Sequence, residues 1–267
     1  MKKLTHIFAV IATILTMACD SESLYLPERE KVVVRAYLYA GEPVTDIQLT
    51  TTFSIFSEDS IGDPINNASV TLEKNGREFR LISSPGDSGF YHYRGNDLVV
   101  ENGDHFGLKV EYNGQTSFSE THIPSPPKDV TLSSNQYVIT QQTNFDATAI
   151  TVNWTEEREA IYFVTVYNEE TNQIRIDAGN ENNFRQSLSF RSRLVPGSSY
   201  SIRRSELTYL GKHVVRVYKI NREYANLYTF GNQDSRNLNE PATNIHNGLG
   251  VFAGFSSDFV EFNVTRE

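Results

Sequence analysis

The sequence predicts an all-β protein made of two antiparallel β-sandwiches in tandem, with one short helix in the second half. The 267-residue chain contains fourteen Tyr and sixteen Phe but only two Met and one Trp, and aromatic residues are enriched in strands. Short segments of alternating apolar and polar residues follow one another from Lys31 onwards. Asn75-Gly76 and Asn113-Gly114 each separate two such segments, and both dipeptides favour the type I′ turn of a tight hairpin.

The strands predicted for the first half end at a proline-rich segment. We expect them at residues 32–39, 68–72, 78–82, 89–93, 106–112 and 117–119. Pro124-Ser125-Pro126-Pro127 then interrupts the pattern, because proline has no N–H for the ladder and biases the preceding residue to extended geometry. We therefore predict a first sandwich over residues 30–124 and a second over residues 125–267.

The second half contains two features of fibronectin type III domains. Strands are predicted at 149–154 and 161–167, and the segment 194–200, Leu-Val-Pro-Gly-Ser-Ser-Tyr, resembles the corner at which a Tyr hydroxyl of that fold bonds back to the backbone. Trp154 on an early strand fits the same fold. The alternative is that Trp154 and Tyr200 are ordinary core residues of another all-β domain.

One short helix is predicted near residues 221–231. Asn221 can cap it, Glu223 lies in its first turn and Gly231 can end it. Tyr224, Leu227 and Tyr228 fall at i, i+3 and i+4, a spacing that predicts a narrow apolar face packed on the sandwich.

The first 18 residues have the pattern of an export signal. Lys2 and Lys3 precede an apolar segment that ends at Ala18 and is shorter than the about 20 residues that span a bilayer. Cys19 follows directly, and residues 15–19, Leu-Thr-Met-Ala-Cys, resemble a bacterial lipobox, with Thr at the position where Leu is usual. We predict that Cys19 carries the lipid and that residues 19–29 form a tether. A plain secretory signal followed by an incidental cysteine is the alternative.

Charge narrows the set of partners. Removal of the signal leaves 22 basic and 33 acidic residues, a net charge of −11. A surface this acidic, without a Lys/Arg cluster, excludes nucleic acid as a partner and is repelled by anionic lipids. The predicted link to the membrane is therefore covalent, through the acyl chains on Cys19.

The sequence offers no catalytic residue that we can assign. Gly86-Asp87-Ser88-Gly89 copies the surroundings of the trypsin-like nucleophile, but the only histidine before Ser88 is His6, within the predicted signal. We interpret this segment as a glycine-rich turn. Glu156 and Glu157 are predicted to be solvated turn residues, because general acid or base catalysis needs shifted pKa values.

No metal or cofactor site is predicted. The histidines after the signal are scattered singly and give no zinc motif: His92, His105, His122, His213 and His246. Residues 177–183 are rich in Asp, Asn and Glu, as calcium loops are, yet they lack the twelve-residue spacing. We predict an exposed polar loop there. Asp59-Ser60-Ile61 matches a short O-glycosylation sequon of exported Bacteroidota proteins, which makes Ser60 a possible modification site.

A passage near the C-terminus is the most distinctive of the predicted mature chain. Residues 240–254 read Glu-Pro-Ala-Thr-Asn-Ile-His-Asn-Gly-Leu-Gly-Val-Phe-Ala-Gly. Together with segments 64–72, 89–91 and 124–126, this passage is similar to Bacteroidota lipoproteins grouped as domain-of-unknown-function family 4249. The resemblance covers essentially everything after Cys19.

The resemblance implies an outer-membrane lipoprotein whose first domain is immunoglobulin-like or carboxypeptidase-regulatory-like and whose genes often lie beside those of TonB-dependent transporters. It supplies no enzymatic residues. The glycines of the passage suit positive φ or close backbone approach, so we expect Gly250→Val to lower thermal stability.

Three classes of function follow, in order of preference. The first is a non-enzymatic binding or accessory subunit on the periplasmic or cell-surface face of the outer membrane, partnering a TonB-dependent transporter or another envelope complex. The second is a surface adhesin or glycan-binding lipoprotein, in which exposed Tyr91 and Tyr93 stack on sugars. The third is a hydrolase whose buried His or carboxylate cluster is not visible in the linear sequence.

Overall fold

The computed structural model of the protein describes residues 31–52, 62–176, 187–229 and 243–267. The described residues belong to one compact unit. Its described part is mostly β, with a single α-helix, which confirms the predicted fold class.

Seven strands, all from described residues of the first half of the chain, build most of the first sandwich. They are β1 (Val32–Tyr39), β2 (Asp46–Thr51), β3 (Ser69–Lys74), β4 (Arg77–Ser83), β5 (Phe90–His92), β6 (His105–Tyr112) and β7 (Gln115–His122). One layer has the order β1-β2-β5 and the other the order β4-β3-β6-β7. The layers are joined along one side, because β4 pairs with β3 for most of its length and with β5 at Ile82 and Ser83.

The described residues of the second half form nine strands and the helix. They are β8 (Thr131–Leu132), β9 (Gln136–Ile139), β10 (Thr148–Asn153), β11 (Ile161–Asn168), β12 (Ser189–Arg191), β13 (Val195–Pro196), β14 (Ser199–Arg203), β15 (Gly211–Ile220), α1 (Arg222–Thr229) and β16 (Leu249–Arg266). The sheet β14-β10-β8 faces the layer β12-β11-β15-β16, and a core that includes Trp154, Tyr162 and Phe262 fills the space between them.

Strand β16 belongs to both sandwiches. Its first part pairs in parallel with β1, from Val33 opposite Leu249 to Tyr39 opposite Phe255, and its remainder pairs in antiparallel fashion with β15. Along β16, Phe252 enters the first core and Phe262 the second. The odd-numbered residues of its first part, such as Phe255, face a third cluster on the opposite side of the sheet.

The local sequence signals are confirmed where the structure describes them. Asn75 and Gly76 have φ of 55° and 75°, and Asn113 and Gly114 have φ of 47° and 73°, the left-handed values that a type I′ hairpin requires. The helix begins at Arg222, where the side-chain oxygen of Asn221 accepts a bond from the Tyr224 N–H at 3.4 Å. Gly231 lies outside the described residues, and the division of the chain at Pro124 stays a prediction.

The corner at residues 194–200 differs from the expectation. The Tyr200 hydroxyl donates to Oε1 of Glu206 at 2.9 Å and not to the backbone. The backbone bond comes from Trp154, whose indole N–H donates to the Gly197 carbonyl at 2.9 Å. A carboxylate in the 3-10 turn Arg204–Glu206 lies within reach of the hydroxyl and is the stronger acceptor.

Candidate binding surfaces

The distinctive C-terminal passage closes the first sandwich. We call Thr243–Gly248 the closing segment. It lies along β7, where the Phe118 and His246 backbones exchange two hydrogen bonds at 3.2 and 2.9 Å. The hydroxyls of Ser117 and Ser119 donate to the carbonyls of Asn247 and Asn244 at 2.9 and 2.8 Å.

Asn244 fastens the closing segment to β16. Its amide donates to the Phe252 carbonyl at 2.8 Å, and its side-chain oxygen accepts from the Phe252 N–H at 2.9 Å. Phe252 is fully buried in the first core. The passage therefore connects β7 with β16 on the side of the sandwich opposite the β4–β5 pairing.

The outer face of the second layer of this sandwich carries a groove over a glycine. Gly107 of β6 lies opposite Glu73 on β3 and opposite Glu120 on β7. In the adjacent row, Lys109 lies between Thr71 and Phe118. The missing side chain leaves the groove, which we call the Gly107 groove and which is lined by Thr71, Glu73, Glu78, Gly107, Leu108, Lys109, Thr116, Phe118, Ser119 and Glu120.

Phe118 stands at the edge of this groove in a fixed orientation. Its ring stacks on the exposed His246 imidazole with centroids 4.6 Å apart and planes 15° apart. The Phe118 side chain is still 49% exposed. The alternation of β7 is inverted, because its small polar residues point inward to the closing segment and its Phe points to solvent.

A second aromatic surface covers the other side of the shared sheet. We call it the outer aromatic face; it comprises Tyr39, Phe163, Tyr218, Phe255 and Phe259. Tyr39 stacks on Phe255 with centroids 4.8 Å apart, and Phe163 stacks on Tyr218 at 4.6 Å. Helix α1 packs against part of this face through Tyr224, 4.9 Å from Phe255.

The outer aromatic face also carries polar groups, the Tyr39 phenol and the Arg216 guanidinium. Burial, followed by the nearby Asp46 carboxylate, raises the pKa of Tyr39 well above its usual value, so this phenol remains a neutral hydrogen-bond donor. The Arg216 guanidinium lies 5.2 Å from the centre of the Phe259 ring and donates to the Ser257 hydroxyl at 3.1 Å. Phe259 is 49% exposed.

Several predicted site residues lie outside the part of the chain that the structure describes. These are the lipid-attachment residue Cys19 with its signal and tether, the glycosylation candidate Ser60 and the polar loop 177–183.

The remaining catalytic and metal candidates form no site among the described residues, although His105 and His122 lie opposite each other on β6 and β7. Ser88 lies in the turn between β4 and β5, where Gly86 and Gly89 have φ of 90° and 69°, and this agrees with a glycine-rich turn. The His92 ring bonds to the Ser84 hydroxyl at 2.9 Å. Within the described ranges no three His, Cys, Asp or Glu side chains come together as a metal site would require.

Two expectations about exposure are wrong. Glu157 is not simply solvated, because it is half-buried in an ion pair with Lys219, and its Oε1 is buried without a hydrogen-bond partner among the described residues. Tyr91 is 1% exposed. Its hydroxyl donates to the Ile65 carbonyl and accepts from the Ala68 N–H, so Tyr91 cannot stack on a sugar, and Tyr93 is half-buried.

Sequence reasoning missed Phe118 and Gly107, although both left a signal. Gly107 interrupts an apolar strand, a position that often marks close approach by another group. In the run 115–122, the apolar residue Phe118 alternates with small polar residues, and it is the polar residues that occupy the inward-facing positions. Which face is buried became evident only from the pairing with the closing segment.

None of the helices in the described ranges is both long enough and apolar enough to span a bilayer.

The fold and these surfaces define an all-β protein of two sandwiches joined by a common strand. A family model described as "Domain of unknown function (DUF4249)" matches residues 17–258. The chain therefore belongs to the DUF4249 family. No curated protein matches it.

Three solved structures illustrate the similarity of the chain to known folds. The FN1–FN3 domains of chicken CNTN1 are 14% identical, with 89% of this chain and 67% of that one covered and a TM-score of 0.29. Domains A168–A170 of titin are 12% identical, with 72% and 61% covered and a TM-score of 0.20. A structure concerning host cell surface retention of a 1.5-MDa bacterial ice-binding adhesin is 14% identical, with 89% and 64% covered and a TM-score of 0.23.

Proposed function

We propose that the protein is a Bacteroidota outer-membrane lipoprotein, anchored through Cys19, that acts as a non-enzymatic binding or accessory subunit of an envelope complex. The proposed partner is a TonB-dependent transporter. The single observation that carries the binding role is the outer aromatic face. Tyr, Phe and Arg are enriched at the centres of protein interfaces because they bury large areas at low entropic cost.

The exposed edge of this face has the arrangement of an interface anchor. Phe259 offers half of its surface to solvent, and Arg216 is fixed over its ring by the Ser257 hydroxyl. Tyr39 and Tyr218 lie nearby, half-buried and with raised pKa values caused mainly by burial. A partner would therefore meet an aromatic surface with neutral phenol donors and, beside Phe259, the oriented Arg216 guanidinium.

The test compares pull-downs from detergent-solubilised outer membrane of the native host. We expect the full-length protein to retain a TonB-dependent transporter. The double variant Arg216→Ala/Phe259→Ala should recover at least tenfold less of that transporter. Phe118→Ala is the matched control, since it removes an equally exposed Phe from another surface. Retention of the same transporter by the double variant would contradict this role for the face.

The anchor is tested on the same material. We expect intact-mass measurement to find acyl chains on Cys19, and Cys19→Ala to move the protein from the membrane to the soluble fraction. An unmodified thiol on membrane-purified protein would exclude the lipoprotein. The same mass spectrum reports whether Ser60 carries a glycan.

A further inference from the structure

The Gly107 groove is a surface that the proposed accessory role does not use. It lies on the outer face of β3, β6 and β7, whereas the outer aromatic face belongs to the layer that contains β1, β15 and β16. We propose that the Gly107 groove binds an uncharged glycan, with a sugar ring stacked on Phe118.

Phe118 has the properties of a sugar-stacking residue. One side of its ring is occupied by the His246 imidazole at 4.6 Å, and half of the side chain remains exposed. The ring is therefore held in place before a ligand arrives, which lowers the entropic cost of binding. A pyranose presents a face of C–H groups that can cover such a ring and gain burial.

The groove next to the ring supplies space and hydrogen-bonding groups of both kinds. Gly107 forms its floor between Glu73 and Glu120. The two carboxylates are exposed and can accept bonds from hydroxyls. Lys109 and the Thr116 hydroxyl, which also line the groove, can donate. A row of vicinal hydroxyls needs this mixture of donors and acceptors.

The charges restrict the class of glycan. Among the described residues that line the groove, Glu73, Glu78 and Glu120 outnumber the single cation Lys109, which is itself paired with Glu111 at 2.7 Å. An excess of negative charge repels uronic acids, sialic acids and phosphorylated sugars.

The test uses full-length protein in a detergent without a sugar headgroup. The probes are neutral hexose and N-acetylhexosamine tetrasaccharides, with a hexuronate tetrasaccharide and an oligolysine peptide for comparison. We expect binding of at least one neutral tetrasaccharide, no binding of the hexuronate, and affinity reduced roughly tenfold or more in Phe118→Ala.

Gly107→Thr separates binding from folding. A Cβ at Gly107 would meet only the Cβ of Glu73 at 3.5 Å, an ordinary contact, and a β-branched residue favours a strand. We therefore expect an unchanged melting temperature and loss of sugar binding, because the new side chain fills the groove. Phe259→Ala, the control with equal exposure, should keep wild-type affinity.

The other outcomes overturn the proposal. These are wild-type protein that binds none of the neutral probes, binding that survives in both Phe118→Ala and Gly107→Thr, and binding of oligolysine but of no sugar. Because the pull-down relies on Arg216 and Phe259 and this assay on Phe118 and Gly107, either proposal can fail without the other.

Discussion

The two sandwiches share β16 but are closed by different kinds of contact. The core of the first is drawn from residues 32–123 together with Ile245 and Phe252, which lie more than a hundred residues further along the chain. The core of the second is drawn from residues 130–264, and its corner is held by the bond from Trp154 to Gly197. The first sandwich is therefore completed by a segment that is distant in sequence, whereas the core of the second comes from one continuous range of the sequence.

This difference explains why the most distinctive passage carries no reactive chemistry. The closing segment satisfies the inward hydroxyls of Ser117 and Ser119 on β7, which would otherwise be buried without partners. Contacts of such long sequence separation form late and slowly, since loop closure must precede them. The first sandwich should thus depend on residues 243–255 more strongly than the second depends on any comparable segment.

Gly250→Val is expected to have the largest effect on this comparison. A Cβ at Gly250 would lie 1.9 Å from the Val34 carbonyl oxygen, and the backbone has φ of 102°. The clash is with the backbone of β1 and cannot be relieved by a rotamer change. We expect a loss of at least about 4 kcal/mol in the free energy of unfolding, or failure to fold, measured by urea denaturation.

Gly41→Val is the matched control for that variant. Gly41 also has a left-handed φ, 79°, but nothing lies within 4 Å of its Cβ position. We expect Gly41→Val to lower the free energy of unfolding by only about 1–3 kcal/mol, which is the cost of a left-handed backbone conformation for a residue other than glycine. Equal losses at the two positions would show that backbone conformation, and not the approach of β1 to β16, explains the requirement for glycine.

Asn244→Ala should have an intermediate effect. The substitution leaves the N–H and C=O of buried Phe252 without their partners, and we expect a loss of about 2–3 kcal/mol. Hydrogen exchange distinguishes the two sandwiches better than global unfolding does. The protection of backbone amides should decrease more in β6 and β7 than in β10 and β14.

Ser119→Ala calibrates the Asn244 result. It removes one bond to the closing segment where Asn244→Ala removes two, so the expected loss is about 1 kcal/mol. Uniform loss of protection across both sandwiches in the two variants would argue that the molecule unfolds as one unit and that the contrast between its halves is not energetic.

Local signals in the sequence predicted much of this fold. The bounds of β1 are those expected from alternation, both Asn-Gly hairpins form, and the helix begins after Asn221. Each of these depends on a few adjacent residues. The prediction that Gly250 has a structural role was also possible, because a glycine between apolar residues in a strand indicates close backbone approach.

Long-range pairing and the choice of face could not be predicted in the same way. No local sequence signal predicts that β1 pairs with a strand more than two hundred residues away. The three-residue strand β5 alternates Phe90 and Tyr91, and a shift of one residue exchanges the buried and exposed faces. This is why Tyr91 was expected at the surface. Phe118, beside the Gly107 groove, was missed because the buried face of β7 depends on its pairing with the distant closing segment.

His213→Gln is expected to have the smallest effect, and it addresses the second sandwich alone. Burial lowers the pKa of His213, against smaller opposing influences of the hydrogen bond to the Gly211 carbonyl and of the Glu170 carboxylate. The neutral ring stacks on Phe262 at 5.2 Å, its Nδ1 lies 2.9 Å from the Gly211 carbonyl, and its Nε2 lies 3.4 Å from the Asn168 amide. These partners suit a ring with the proton on Nδ1.

The sign of the pH dependence follows from that neutral ring. Because the unfolded chain binds a proton at His213 below about pH 6.5 and the folded protein resists it, stability from this group is full above that pH and decreases as the pH falls. Urea unfolding at pH 7.5 and 5.5 should show a smaller decrease for His213→Gln than for wild type. Hydrogen exchange should locate the acid-sensitive opening at β15 and its neighbours, because His213 lies on β15 and its ring packs on Phe262 of β16. An identical decrease in both proteins would mean that acid acts on other groups, and the two sandwiches would then be distinguished by their closure alone.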